Sequence, residues 1–268
     1  MHTPSSNHIS DHLLSNELPQ VLIDKQGSID TLFDYIDQAI HNGAKSLCIL
    51  ACDENDFDTQ QALIDEKLKT LPIPVFGGIF PQIIADAENL EKGSLVLALP
   101  LEVSTYYVER LSDSDEDYYD QIEQWSDEIN LNSGLITLVD GLSNRISAVL
   151  EDLYDILGGD YQYIGGGAGS LSFRQKPCLF SNEGLRQDCA QITKINEPID
   201  LGIKHGWQPF AGPFFITGAN HTAIQTLDYR PAFEVYQEVV EKDSGKRFQD
   251  TNFFDLAKAY PFGLDRLK

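Results

Sequence analysis

Positive charge is what this sequence of 268 residues has least of: 19 Lys and Arg stand against 42 Asp and Glu, a formal net charge of −23. A surface that negative repels phosphate backbones and anionic lipid headgroups, since either partner needs a positive field. No cluster of Lys or Arg interrupts it, so nucleic acid and membrane surfaces are poor partners. No apolar run approaches the roughly 20 residues that cross a bilayer, and the polar stretch from Met1 to Asn16 lacks the charged-then-apolar pattern of a signal peptide. Cysteine is scarce as well. Cys48, Cys52, Cys178 and Cys189 include no C-x-x-C pair, which argues against structural zinc and for buried, reduced thiols in a cytoplasm. Missing too are a G-x-S-x-G elbow, H-E-x-x-H, a P-loop and an EF-hand loop, so no familiar catalytic or metal motif is present.

What remains is an ordinary globular composition, 42% hydrophobic, in a chain long enough to bury a sizeable core. Ile29, Leu32, Phe33, Ile36 and Ile40 recur at helical spacing between a Ser28 cap and Gly43. An apolar strand follows at 46–51, then a helix at 58–69 with Asp58 as its expected cap, then a strand at 74–76 running into Gly77-Gly78. Another strand is expected at 94–99. The Asp, Glu and Ser run at 112–117 reads as a solvated loop, and Tyr118, Ile122, Trp125 and Ile129 share the face of a further helix.

The same order then returns. A strand at 135–139 ends at Asp140, and Ile146, Val149, Leu150, Leu153 and Leu157 form a helical stripe stopped by Gly158-Gly159. A strand at 161–164 follows, running into the glycines from Gly165 to Gly169. Acid and glycine are almost equally spaced in both places, Asp53 to Gly77 and Asp140 to Gly165, which predicts an internally duplicated β-α-β unit. Beyond Ser170 short runs at 178–180, 190–195, 201–204, 214–217 and 223–227 predict an antiparallel meander, and Pro231 opens a last helix. The fold class is therefore mixed α/β: a duplicated β-α-β core with a mixed sheet, helices outside and a C-terminal antiparallel meander.

Four places carry candidate chemistry. Gly165, Gly166 and Gly167 bare the backbone, either for close packing in a small-residue turn or for close approach of a ligand. A dinucleotide fingerprint would need a helix after them, and Leu171 to Pro177 does not read as one. Asp140 with Ser143 is either a strand-end acid with a helix cap or a polar recognition pair where α/β folds bind ligands. His205-Gly206-Trp207 is either a packed, hydrogen-bonded histidine or a pocket wall with a titratable tip. Arg230 either pairs with Asp228 or holds a carboxylate. His41 suits the end of the first helix, His221 lies in a turn beside Asn220, and His2, His8 and His12 belong to the polar opening stretch.

Several of these segments together resemble consecutive motifs of the FIST family: Val139-Asp140-Gly141-Leu142-Ser143, Tyr163 to Gly169, Pro177-Cys178-Leu179-Phe180, His205 to Pro209, Gly212-Pro213-Phe214, and Leu227 to Tyr236. The resemblance runs from about residue 20 to the end and is strongest after Gly134. It implies a polar tail over 1–19 and an N-terminal FIST domain over 20–251, its copies at about 20–111 and 134–251. It also implies the opening of a truncated C-terminal FIST region over 252–268. It further implies a sensory input domain of bacterial signalling, binding a small molecule such as an amino acid and acting on a histidine kinase or other signalling protein. Some relatives bind haem and sense nitric oxide; in that variant His205 is the first axial candidate, His221 the second and Cys178 a weaker third. Two readings from other classes stay open: a ligand-free interaction scaffold, and a hydrolase built from Asp140, Ser143 and His205.

Overall fold

The computed structural model describes residues 18–131, 133–220 and 223–264, which fall into two compact units, one up to Gly202 and one from Ile203. The chain is a mixed α/β protein. Within the first unit one topology occurs twice. Its first copy runs β1 (Gln20–Asp24), α1 (Ile29–His41), β2 (Ser46–Cys52), α2 (Gln61–Lys69), β3 (Val75–Phe80), the hairpin β4 (Ile83–Ala85) and β5 (Glu88–Leu90), and β6 (Ser94–Leu99). Its second runs β7 (Val103–Glu109), α3 (Tyr118–Ser126), β8 (Gly134–Asp140), α4 (Ile146–Leu157), β9 (Gln162–Ala168), the hairpin β10 (Leu179–Ser181) and β11 (Gly184–Arg186), and β12 (Cys189–Ile195).

The sheets are ordered β1-β6-β2-β3 and β7-β12-β8-β9, so each strand of one copy has its counterpart in the other. In both, the second and third strands pair in parallel and the fourth lies antiparallel between the first and second. Even the parallel register agrees. Leu47 faces Val75 and Gly134 faces Gln162, a partner 28 residues on in each case. The hairpins break the symmetry. Among the described residues β4 and β5 pair only with each other, whereas β10 and β11 leave their own copy and extend the first sheet beside β3, with Leu179 opposite Gly78.

Local chemistry explains most element boundaries. Ser28, in extended backbone, accepts from the Thr31 N–H at 3.3 Å to open α1, and Asp117 does the same for the Tyr119 N–H at 3.0 Å before α3. The stripe Tyr118, Ile122, Trp125 and Ile129 is buried as its spacing predicts, in a core with Val108, Leu135, Val149, Leu153 and Ile192. A separate core gathers Leu32, Ile36, Leu47, Ile49, Ile64, Leu68, Val96 and Phe180 around the first sheet. Each fully buried side chain of this kind contributes about 1.5–3 kcal/mol.

Three local expectations give way. Asp58 does not cap α2: it lies in a 3-10 turn, Phe57–Gln60, pinned by the buried Phe57 ring, and the helix starts at Gln61 without a side-chain cap. The glycines do not make turns, because β3 and β9 run straight through them. A Cβ on Gly77 would sit 1.9 Å from the Ile49 carbonyl oxygen, and one on Gly165 1.6 Å from that of Thr137, so parallel pairing demands a bare Cα at both places. Residues 201–204 form no strand.

Gln191 of β12 ties the two sheets together. It is fully buried; its side-chain carbonyl accepts from the Gly77 N–H at 3.0 Å and its amide donates to the Phe180 carbonyl at 2.7 Å. The second unit holds β13 (Ile216–Asn220), β14 (Ala223–Leu227), the two-residue β15 (Arg230–Pro231), α5 (Ala232–Ser244) and α6 (Phe253–Ala257). Leu227, Ala232 and Val235 form its core, and the rings of Phe233, Phe248 and Phe253 cluster nearby. Among the described residues no helix is long and apolar enough to cross a membrane.

Candidate ligand-binding site

Both copies place an acid where the second strand ends, at the carboxyl side of a parallel pair. Asp140, the last residue of β8, is 1% exposed. A carboxylate so buried has to be saturated by donors. Its Oδ1 accepts from the Leu142 N–H at 3.0 Å, and its Oδ2 accepts from the Asp188 N–H and the Gln175 amide, both at 2.8 Å. Ser143 lies beside it and donates its hydroxyl to Asp188 Oδ1 at 2.8 Å, next to the Ser112 hydroxyl at 2.6 Å. Burial opposes the charge on Asp188, but the bonds from Ser112, Ser143 and Gln175 outweigh it and hold the carboxyl below the usual aspartate range. A carboxylate stabilised in this way is a weak base, so the contact does not activate Ser143 as a nucleophile.

Asp53, the residue after β2, is the counterpart in the first copy. Ser170 donates to its Oδ2, while Lys176 Nζ lies 2.6 Å from its Oδ1 and 2.9 Å from Asp58 Oδ2. Gln175 and Lys176 are consecutive residues of one connector, 169–178, that contains neither helix nor strand. Each grips one of the two strand-end acids. Both ends of the connector bond to the same residue of β3: the Gly169 N–H donates to the Ile79 carbonyl at 2.8 Å, and the Ile79 N–H donates to the Cys178 carbonyl at 2.7 Å.

Gly165, Gly166 and Gly167 lie exposed on β9, the outer strand of the second sheet. Gly165 is required by the neighbouring backbone, whereas a Cβ on Gly166 would meet nothing within 4 Å. In the second unit His205 and Trp207 occupy an exposed coil, with Trp207 53% exposed. Arg230 pairs with Glu238 at 2.9 Å rather than with Asp228, whose carboxylate instead accepts from the Phe215 N–H at 3.0 Å. His221 lies outside the described residues. Thus Asp140 and Ser143 belong to one polar cluster, the three glycines to the strand beside it, and His205, Trp207 and Arg230 to the other unit.

Among the cavities of the first unit, two bear on the polar cluster and its surroundings. One of about 250 Å³ lies beside Tyr107 and Arg186; there the guanidinium stacks 4.1 Å from the Tyr107 ring and is already paired with Glu109 and Glu183. The other, of about 460 Å³, lies beside Asp53 and Leu171.

The model of the FIST N domain matches residues 46–230, well over half of the chain and including both parallel pairs and the connector. The chain belongs to the FIST family. FIST domains are sensory domains, which places this chain in a sensory role in signalling. No curated protein matches the sequence.

Haem, the cofactor expected if the chain were of a haem-binding kind, needs an axial side chain aimed into an apolar slot. His205 stands in exposed coil, and neither cavity is lined by a histidine. The Cys178 thiol is buried, and burial together with the Asp140 charge pushes its pKa up, which disfavours the thiolate that iron would take. No group of three His, Cys, Asp or Glu suited to a metal occurs among the described residues.

Gln175, Lys176, Asp188 and Ser170 are the residues that sequence reasoning missed. The one usable signal was the matched placement of Asp53 and Asp140, which marks two equivalent strand ends. Nothing in the local pattern says that a single connector reaches both.

Proposed function

We propose that this FIST domain binds a small molecule, of the size and polarity of an amino acid, and reports it to a partner signalling protein in the cytoplasm. The observation that carries the reading is the convergence of polar side chains on the carboxyl ends of both parallel strand pairs, where open α/β sheets bind their ligands. In this reading Asp140 and Ser143 anchor the connector that closes the site. Gly165 to Gly167 leave one strand bare for close approach within the first unit; His205, Trp207 and Arg230 belong to the second unit and are no part of this site.

Thermal denaturation of the purified chain against the twenty amino acids and a set of simple amines tests this. A binding compound present at 100 times its Kd stabilises by about 2.7 kcal/mol, and it is expected to be recovered unchanged. A chain that responds to none of them, yet binds a basic partner protein with an affinity that collapses in salt, is a scaffold and not a small-ligand sensor.

A further inference from the structure

The larger cavity, of about 460 Å³, is lined by Asp53, Glu54, Gln82, Glu91, Lys92 and Leu171. Its volume lies in the range of about 300–1,000 Å³ typical of small-molecule sites. It also lies at the carboxyl ends of β2 and β3, with Leu171 of the connector at its wall. Three carboxylates face it against the single ammonium of Lys92, within a chain of net charge −23. Asp53 is the most enclosed of the three, and Lys176 already rests an ammonium on it from the connector side. The protein's own lysine shows which chemical group this carboxylate accepts.

We propose that this cavity takes a small molecule bearing a primary ammonium group, and that the ligand competes with Lys176 for Asp53. The proposal rests on the sensor reading above and adds a site, a ligand class and a coupling route to it. When the ligand's ammonium replaces Lys176 at Asp53 Oδ1, the connector gives up that contact while Ser170 and the two backbone bonds to Ile79 keep it on the first copy, so the change is confined to the Gln175-Lys176 segment. The next residue back, Gln175, holds Asp140 at 2.8 Å and Ser143 at 3.2 Å in the second copy, so occupancy of one strand end is felt at the other. The ammonium can come from a simple amine or from an amino acid. Lys92 distinguishes them, because only an amino acid brings a carboxylate for it to meet.

Calorimetric titration with pentylamine, L-norleucine and hexanoate decides the matter, since the first two differ by the α-carboxylate and the third lacks the ammonium. At least one ammonium compound is expected to bind and hexanoate is not. Asp53→Asn should abolish binding, and the double variant Glu54→Gln/Glu91→Gln, at two exposed carboxylates, should weaken it. Lys176→Ala should tighten binding about fivefold, the worth of a partly exposed ion pair removed from competition. In nuclear magnetic resonance spectra the Gln175 side-chain amide signals should move on binding. A loss of affinity in Lys92→Ala for norleucine alone assigns the amino acid; equal affinity for both compounds assigns the amine. An affinity unchanged or lowered by Lys176→Ala, or unmoved Gln175 signals, overturns the competition. Binding that survives both carboxylate variants refutes this site and leaves the sensor reading intact. If neither ammonium compound binds, the ligand class is wrong whatever the wider panel shows.

Discussion

Gly165 and Gly166 are neighbours on one exposed strand, yet the structure assigns them opposite tolerance to a methyl group. A Cβ on Gly165 would lie 1.6 Å from the Thr137 carbonyl oxygen, a backbone atom of the adjacent parallel strand. No rotamer relieves that overlap. β9 has to withdraw from β8 by more than an ångström, stretching the ladder hydrogen bonds to β8 before and after Gly165. Overpacking of this kind costs about 1–3 kcal/mol, and each weakened bond adds about 1 kcal/mol, so Gly165→Ala should destabilise the first unit by about 3 kcal/mol. Gly166→Ala places its methyl where nothing lies within 4 Å and should be neutral, or stabilising by up to about 1 kcal/mol through the unfolded state. Trp125 reports on the first unit, buried and stacked on Tyr106 at 4.9 Å, provided Trp207 is first changed to Phe. Urea unfolding followed by Trp125 emission should then show a midpoint lowered by about 1.5 M for Gly165→Ala, taking a slope of about 2 kcal/mol per molar. Equal midpoints for the two variants would refute the idea that strand pairing, and not ligand approach, fixes Gly165.

Two more outcomes test the network around the site. Gln191→Leu keeps the volume but strands the Gly77 N–H and the Phe180 carbonyl in the interior, and should cost about 3 kcal/mol in the same urea assay. Asp188 has a folded-state pKa below its unfolded value, so the stability it contributes is present above the unfolded pKa and lost as pH falls through the folded one. Asp188→Asn, which also suits the left-handed backbone at φ 51°, should therefore flatten the loss of stability on the acid side of pH 4. A variant whose midpoint falls with pH as steeply as the unaltered protein's would contradict that assignment.

How far the sequence could be read depended on how local each determinant was. α1, α3 and α4 were legible because stripe and boundary signals coincide within a dozen residues, and β6 because its apolar run is continuous. β1 and β7 were not expected, for different reasons. The buried ends of β1 are the polar Gln20 and Asp24, and β7 interrupts its alternation with Tyr106-Tyr107. The glycine runs were legible as special but misread as turns, because the contact that requires them is the carbonyl of a strand 28 residues earlier. Asp140 was singled out correctly as a strand-end acid. Its partners Gln175 and Asp188 lie 35 and 48 residues away and carry no pattern of their own.

The two copies share strand order, register and strand-end acid, so the difference between their two ends must come from what was inserted. In the first copy only Pro81 and Gln82 separate β3 from its hairpin, whereas in the second the whole connector 169–178 separates β9 from β10. That extra length lets the second hairpin reach across to β3, and it carries Gln175 and Lys176 past both acids on the way. At the second acid the space is filled: the Gln175 amide and the Leu142 and Asp188 N–H groups complete the shell of Asp140. At the first acid the connector only touches, through Ser170 and Lys176, and the short β3–β4 link leaves the cavity beside Asp53 open. A symmetric pair of strand ends has thus become one filled anchor and one open cavity joined by two adjacent side chains. Shortening the connector should therefore draw β10 and β11 away from β3 as well as part Gln175 and Lys176 from the two acids.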